Sequence, residues 1–230
     1  MQICFILVEP QRAANVGACA RALKTMGFHT LRIVNSQQYL AEEAQWVAHG
    51  ATDILQGAQQ FSSLEDALND IDLVIGTSTK QRAGKRFAHS PKALFESLSE
   101  KRQLLARVAV VFGREDHGLA NETLNLCDVL STIPLAVNYP SLNLGQAVML
   151  YAYELSPLTQ SLQSEVSCSD AAEGQWRALQ AKVTCLLEQL NIPSSAKEYQ
   201  WVRERLPVCS QKDINFLHTL VTDVIRKINQ

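Results

Sequence analysis

Short apolar runs alternate with amphipathic stretches from Met1 to about Leu155. ICFILV (Ile3–Val8), LRIV (Leu31–Val34), DLVIG (Asp72–Gly76), VAVVFG (Val108–Gly113) and VLSTIPL (Val129–Leu135) predict strands, and the stretches between them carry helical periodicity. Strands apolar at consecutive positions are buried on both faces. The repeated βα units therefore predict an α/β fold, a parallel sheet flanked by helices. In the first helix Val16, Cys19, Ala20, Leu23 and Met26 share one face, while Gly17, Arg21 and Lys24 lie on the other. Asn15 is placed to cap this helix and Gly27 to end it in a left-handed conformation.

The rhythm stops at Ser156. SPLTQSLQSEVSCSDAAEG (Ser156–Gly174) is rich in Ser and Gln, lacks apolar periodicity and predicts a linker. Beyond it, Trp176, Leu179, Val183, Leu186, Leu187 and Leu190 mark one amphipathic helix. Ile214, Leu217, Leu220, Val221, Val224, Ile225 and Ile228 mark another, with a shorter helix around Glu198–Leu206 between them. The expected division is a main domain at 1–156, a linker at 157–174 and a helical extension at 175–230. That extension is too small for an independent core and is expected to dock on the main domain, a second subunit or a substrate.

Composition changes the picture only by exclusion. The hydrophobic share of 47% is ordinary for a globular chain, and no apolar run is long enough to span a bilayer. The first basic residue is Arg12, so no secretory leader is expected. Cys4, Cys19, Cys127, Cys168, Cys185 and Cys209 are scattered without C-x-x-C spacing. They indicate neither a metal site nor a disulfide framework, and a reduced cytoplasmic protein is expected. A net charge of −2 argues against nucleic-acid binding by bulk charge and leaves room for a local basic patch.

In an open parallel sheet, ligands bind beyond the carboxyl ends of the strands, so the residues after each strand carry the chemistry. EPQRAANVGACARA follows the first strand and contains no G-x-G-x-x-G; no Walker motif follows any strand. Taken alone, Arg21 reads as a solvated helix residue. TSTKQRAGKR (Thr77–Arg86) gathers Lys80, Arg82, Lys85 and Arg86 beside the expected crevice, where positive charge suits a phosphate backbone. GREDHGLANE (Gly113–Glu122) places Gly113 at a tight strand exit and Arg114 and Glu115 at the rim, with His117 as a turn residue. AVNYPSLNLGQAVMLYAYEL offers Ser141 or Asn143 as a helix cap, and the helix after it is apolar over a broad arc.

Together, N-x-G-x-x-x-R at Asn15–Arg21, VFGREDHGL at Val111–Leu119 and IPL…YPSLNLGQAV at Ile133–Val148 resemble the three ordered motifs of the SPOUT superfamily of methyltransferases, in its TrmH- and TrmJ-like branch. The resemblance covers Met1–Leu155. It implies a C-terminal trefoil knot in the α/β domain, a homodimer, and S-adenosyl-L-methionine as cofactor. It also implies 2'-O-methylation of an RNA ribose, in transfer RNA more than ribosomal RNA, without a metal or a membrane. By position it places the cofactor against Thr77, Ser78, Thr79, Gly113, Ile133, Pro140, Ser141 and Leu142. It assigns catalysis to Arg21, with Asn15 supporting it and Glu115 and Asn143 shaping the site. Where the branch carries T-S-A-R-x-R, this chain has TSTKQR, the segment expected to touch RNA. An RNA-binding relative with little activity, and an unrelated α/β nucleotide-binding enzyme, are the alternatives; the missing glycine fingerprints disfavour the second.

Overall fold

The computed structural model describes residues 1–78, 88–137, 141–160, 175–197, 199–200, 202, 206 and 211–228. The chain begins β1 (Gln2–Val8), α1 (Ala13–Thr25), β2 (Leu31–Val34), α2 (Glu42–Ala48), α3 (Thr52–Gln56), β3 (Gln59–Phe61), α4 (Leu64–Leu68) and β4 (Leu73–Thr77). It continues β5 (Ala88–His89), α5 (Pro91–Glu100), β6 (Arg107–Phe112), α6 (Asn121–Asn125), β7 (Val129–Ser131), α7 (Leu144–Leu155) and α8 (Pro157–Gln160). Two longer helices, α9 (Gln175–Gln189) and α10 (Gln211–Ile228), follow. The strands form one seven-stranded sheet in the order β3-β2-β1-β6-β4-β7-β5, with each pairing parallel.

Both faces of the sheet are covered, as the unbroken apolar runs require. Ile3, Phe5 and Leu7 of β1 join Val108, Val110 and Phe112 of β6 beneath α1, α5 and α7. The alternate residues Cys4, Ile6, Ala109 and Val111 face Leu64 and Ala67 of α4 and Leu124 of α6. An aromatic line runs through the first core from Phe28 to Phe5 at 5.0 Å, Phe5 to Phe112 at 6.1 Å and Phe112 to Tyr151 at 5.4 Å between ring centroids. Such pairs add about 0.5–1.5 kcal/mol each beyond their burial, and here they lock α7 onto the central strands. The Tyr151 hydroxyl donates to Ser131 Oγ at 2.8 Å, and Ser131 Oγ donates to the His89 carbonyl at 2.7 Å. That chain satisfies the buried phenol and ties α7 to β7 and β5.

Two strands, β3 and β5, lie beyond the sequence expectation because they sit at the two edges of the sheet. An edge strand has one neighbour, and β3 (Gln59, Gln60, Phe61) is exposed or half-buried, so it carries no apolar run. The last core strand is shorter than expected. Its ladder stops at Ser131, Thr132 makes one further bond to His89, and Pro134 has no N–H to extend it.

Helix α1 departs from expectation in two respects. Arg12, not Asn15, occupies the N-cap position and makes no side-chain cap bond. Gly17 is buried rather than open, because a Cβ there would stand 2.3 Å from the carbonyl oxygen of Ala44 in α2. Gly27 does adopt the left-handed conformation expected of it, at φ +82°. Cys4, Cys19 and Cys127 are buried cysteines outside any disulfide, and Cys185 is exposed. Among the described residues no helix is long and apolar enough to cross a membrane.

Leu179, Val183, Leu187, Ile214 and Val221 of α9 and α10 join the same apolar core as the sheet. Gln180 Nε2 donates to Asp128 Oδ1 at 3.3 Å, at the amino end of β7. The helix expected around Glu198–Leu206 lies largely outside the described residues.

A charged cluster closes the same amino edge. Arg32, 6% exposed, donates to both carboxylate oxygens of Asp70 at 2.6 and 2.8 Å and to the Ala67 carbonyl, and lies 5.4 Å from the Phe61 ring. The Arg32 hydrogen bonds hold the Asp70 carboxyl down, from 3.8 to about 2, with the charge of Arg107 adding to the effect. A carboxyl lowered on folding stabilises fully above its unfolded pKa and ceases to do so as pH falls through its folded one. Resistance to unfolding is therefore expected to drop between about pH 4 and pH 2, and Asp70→Asn to flatten that drop. Denaturant midpoints measured across this range check it; an Asp70→Asn profile parallel to the parent's would refute the assignment.

Candidate active site

The strand order reverses between β1 and β6, which lie side by side while their connections leave in opposite directions. In such sheets a crevice opens outside the carboxyl ends at this point. The segments expected to carry chemistry converge here. β1 delivers Glu9–Arg12 and the start of α1, β6 delivers Gly113–Leu119, and α7 brings its N-terminus against α1. The helices approach so closely that a Cβ on Gly145 would stand 2.8 Å from the Ala18 methyl.

Glu115 anchors the cluster. Its Oε1 accepts from Asn15 Nδ2 at 2.9 Å and from the Arg12 N–H at 3.2 Å, and its Oε2 accepts from the Gln11 N–H at 2.9 Å. Burial opposes its charge, yet the Asn15 amide and those main-chain donors outweigh it and hold the carboxyl below its ordinary value. Asn15, 7% exposed, then accepts from Asn143 Nδ2 at 2.8 Å through its own Oδ1. Asn143 caps α7, as one of the two residues expected to: its Oδ1 accepts from the Gly145 N–H at 2.9 Å, and its N–H donates to Gln146 Oε1 at 3.1 Å. One relay thus joins residues separated by 100 and 128 positions.

Gly113 makes the turn into Glu115 possible. A Cβ there would stand 2.2 Å from the main-chain carbon of Gly118, which has φ +70° and donates its N–H to the Arg114 carbonyl at 2.9 Å. Thr77, Ser78, Gly113 and Ile133 follow one another along the carboxyl edge of the adjacent strands β6, β4 and β7, all half-buried. Thr77 Oγ1 donates to the Val111 carbonyl at 2.8 Å, and the Ser78 N–H to the Ser131 carbonyl at 2.9 Å. Ser141 and Leu142 lead into α7, Ser141 exposed and Leu142 half-buried. Thr79, Lys80, Arg82, Lys85, Arg86 and Pro140 lie outside the described residues.

Arg21 stands apart from the relay. It is exposed on α1, six residues beyond Asn15, which is about 9 Å along the helix and on another of its faces. The Asn15 side chain engages Glu115 and Asn143, so any effect of Asn15 on Arg21 passes through the helix. His117 is an exposed turn residue beside Asp116. The sequence reading missed the N–H donors of Gln11 and Arg12 and the Tyr151–Ser131–His89 chain. Main-chain donors leave no residue signature, and Tyr151 counts in the sequence as one more apolar residue on the broad face of its helix. Among the described residues no group of His, Cys, Asp or Glu could hold a metal ion.

The SpoU rRNA Methylase family matches residues 2–153, and the C-terminal domain of the tRNA/rRNA methyltransferase LasT matches residues 173–228. The chain belongs to the SpoU rRNA methylase family. It is 43% identical to the uncharacterized tRNA/rRNA methyltransferase LasT of Escherichia coli K12 over 230 residues, all of both chains. It is 38% identical to the tRNA (cytidine-2'-O-)-methyltransferase TrmJ of Methanocaldococcus jannaschii, over 67% of each chain. Among solved structures, a probable methylase family protein from Haemophilus influenzae superposes with a TM-score of 0.66 at 28% identity, covering 99% of this chain and 97% of that one. TrmJ from Z. mobilis gives 0.62 at 25% identity, covering 97% and 99%.

Removing the Glu115 carboxylate leaves the Asn15 amide and two main-chain N–H groups without their acceptor. Glu115→Ala is expected to destabilise the chain by about 1–3 kcal/mol, and Glu115→Gln by less because one acceptor oxygen survives. Urea midpoints measure both; an alanine variant as stable as the parent would show that the relay does not hold the segments together.

Proposed function

We propose that the chain is an S-adenosylmethionine-dependent RNA 2'-O-methyltransferase acting on transfer RNA. The observation that carries this reading is the Glu115–Asn15–Asn143 relay, which gathers the three motif segments at the strand-order reversal. Family membership supports the reaction class, and the tRNA (cytidine-2'-O-) methylation carried out by the TrmJ relative favours transfer RNA over ribosomal RNA. The main domain takes residues 1–156, with a linker at 157–174 and a helical extension at 175–230. The α/β domain carries a C-terminal trefoil knot, and two copies pair as a cytoplasmic dimer. The exposed Leu150 and Tyr153 on α7 suit a second subunit.

The residues present fit the cofactor. Thr77, Ser78, Gly113, Ile133, Ser141 and Leu142 are uncharged, and main-chain groups on such an edge suit adenine and ribose. Thr79 and Pro140 complete the set by sequence position. S-adenosylmethionine, when bound, supplies an already activated methyl group. What remains for the protein is alignment of a ribose 2'-hydroxyl and stabilisation of the charge that grows on its oxygen. Arg21 takes the second task, as a fixed positive charge and not as a base. Glu115, Asn15 and Asn143 hold α1 and α7 in register around the reacting oxygen. Lys80, Arg82, Lys85 and Arg86 contact the RNA phosphates.

Incubation with methyl-labelled cofactor and total RNA, followed by nuclease digestion, is expected to yield 2'-O-methylated nucleotide. Arg21→Ala should lower kcat about a hundredfold, with cofactor affinity unchanged by calorimetry. RNA binding without labelled ribose would identify a non-catalytic RNA-binding protein instead. Full activity in Arg21→Ala would remove that residue from the mechanism.

A further inference from the structure

Glu9 and Asn35, the residues that follow β1 and β2, both adopt φ of 51°. Glycine enters that left-handed region freely and side-chain-bearing residues at a cost. The pair sits in a row of side chains along the carboxyl edge. Asn35 Nδ2 donates to Glu9 Oε1 at 3.1 Å, Arg114 Nη1 lies 3.5 Å from Glu9 Oε2, and Arg114 grips both oxygens of Asp116 at 3.0 and 2.8 Å. Side chains of Glu9 and Arg114 are 37% and 36% exposed, and pairs so exposed add little to stability. A glycine at position 9 would take the same backbone at lower cost, so stability does not account for the glutamate.

The row holds the turn that feeds the active site. Gln11 Nε2 donates to the Glu9 carbonyl at 2.8 Å, and Ser36 Oγ donates to the Pro10 carbonyl at 2.9 Å. The next two N–H groups, of Gln11 and Arg12, are the ones that Glu115 accepts. We propose that Glu9 is a positioning residue for methyl transfer: clamped between Asn35 and Arg114, it fixes the 9–12 turn so that Glu115 stays seated against Asn15. The inference rests on the function proposed above. Backbone strain kept where stability gains nothing is the signature of a site held for use.

The test compares Glu9→Gly and Glu9→Gln with the parent in three measurements: unfolding midpoint, kcat for RNA methylation, and hydrogen exchange of the Asn15 side-chain amide by NMR. Glu9→Gly relieves the backbone, so its midpoint should not fall, while kcat drops about tenfold and the Asn15 amide exchanges faster. Glu9→Gln keeps one acceptor oxygen, for Asn35 or for Arg114 but not for both, and should restore part of each. Unchanged kcat and unchanged exchange in a folded Glu9→Gly chain would overturn the proposal. If that variant does not fold, Asn35→Gly removes the other half of the clamp and is read the same way. Absence of transfer in the parent would reject the methyltransferase reading; the Asn15 exchange then decides alone, faster exchange supporting the clamp and unchanged exchange overturning it.

Discussion

A carboxylate can only accept hydrogen bonds, and from that constraint at Glu115 the polarity of the whole relay follows. Asn15 must turn its nitrogen toward Glu115, which leaves its oxygen facing Asn143. Asn143 must then present its nitrogen to Asn15 and its oxygen to the Gly145 N–H at the start of α7. Two amide side chains, each able to flip in isolation, are given one orientation by a single charge. The same charge gathers the Gln11 and Arg12 N–H groups. Three segments distant in sequence are in this way registered on one another.

The rest of the fold makes that small network possible. α7 is held on the sheet by the Phe112–Tyr151 contact and the Tyr151–Ser131–His89 chain, so its N-terminus arrives at α1 with little freedom left. Gly17 and Gly145 let α2 and α7 approach α1 on either side, and Gly113 lets the turn after β6 fold back on Gly118. Each is a place where a methyl group would meet main chain or a neighbouring methyl, so the glycines set the spacing and the relay sets the register. The tail meets the sheet at Asp128, on the amino edge, away from the relay.

The central strands were legible in the sequence because burial on both faces writes an unbroken apolar run, as in ICFILV and VAVVFG. Edge strands write no such run, and β3 and β5 went unread for that reason. Asn15 stands out in the sequence as a cap candidate and, through its motif, as a support for Arg21, but its link to Glu115 does not. A side chain three residues into a helix points where tertiary partners allow, and a partner 100 positions away leaves no local trace. Asn143 was legible as a cap because capping is local. Glycine placement told the truth at Gly27, where a backbone conformation decides, and misled at Gly17, where the reason was a neighbouring helix.

On the proposed function, Asn15 and Asn143 act as one unit in methyl transfer. A double-mutant cycle tests it directly: kcat for RNA methylation is measured in the parent, in Asn15→Ala, in Asn143→Ala and in the double variant. Residues that act only through each other are non-additive, so the double variant should lose no more than the worse of the two single variants. Losses that multiply in the double variant would contradict the account, since the two asparagines would then serve the reaction independently.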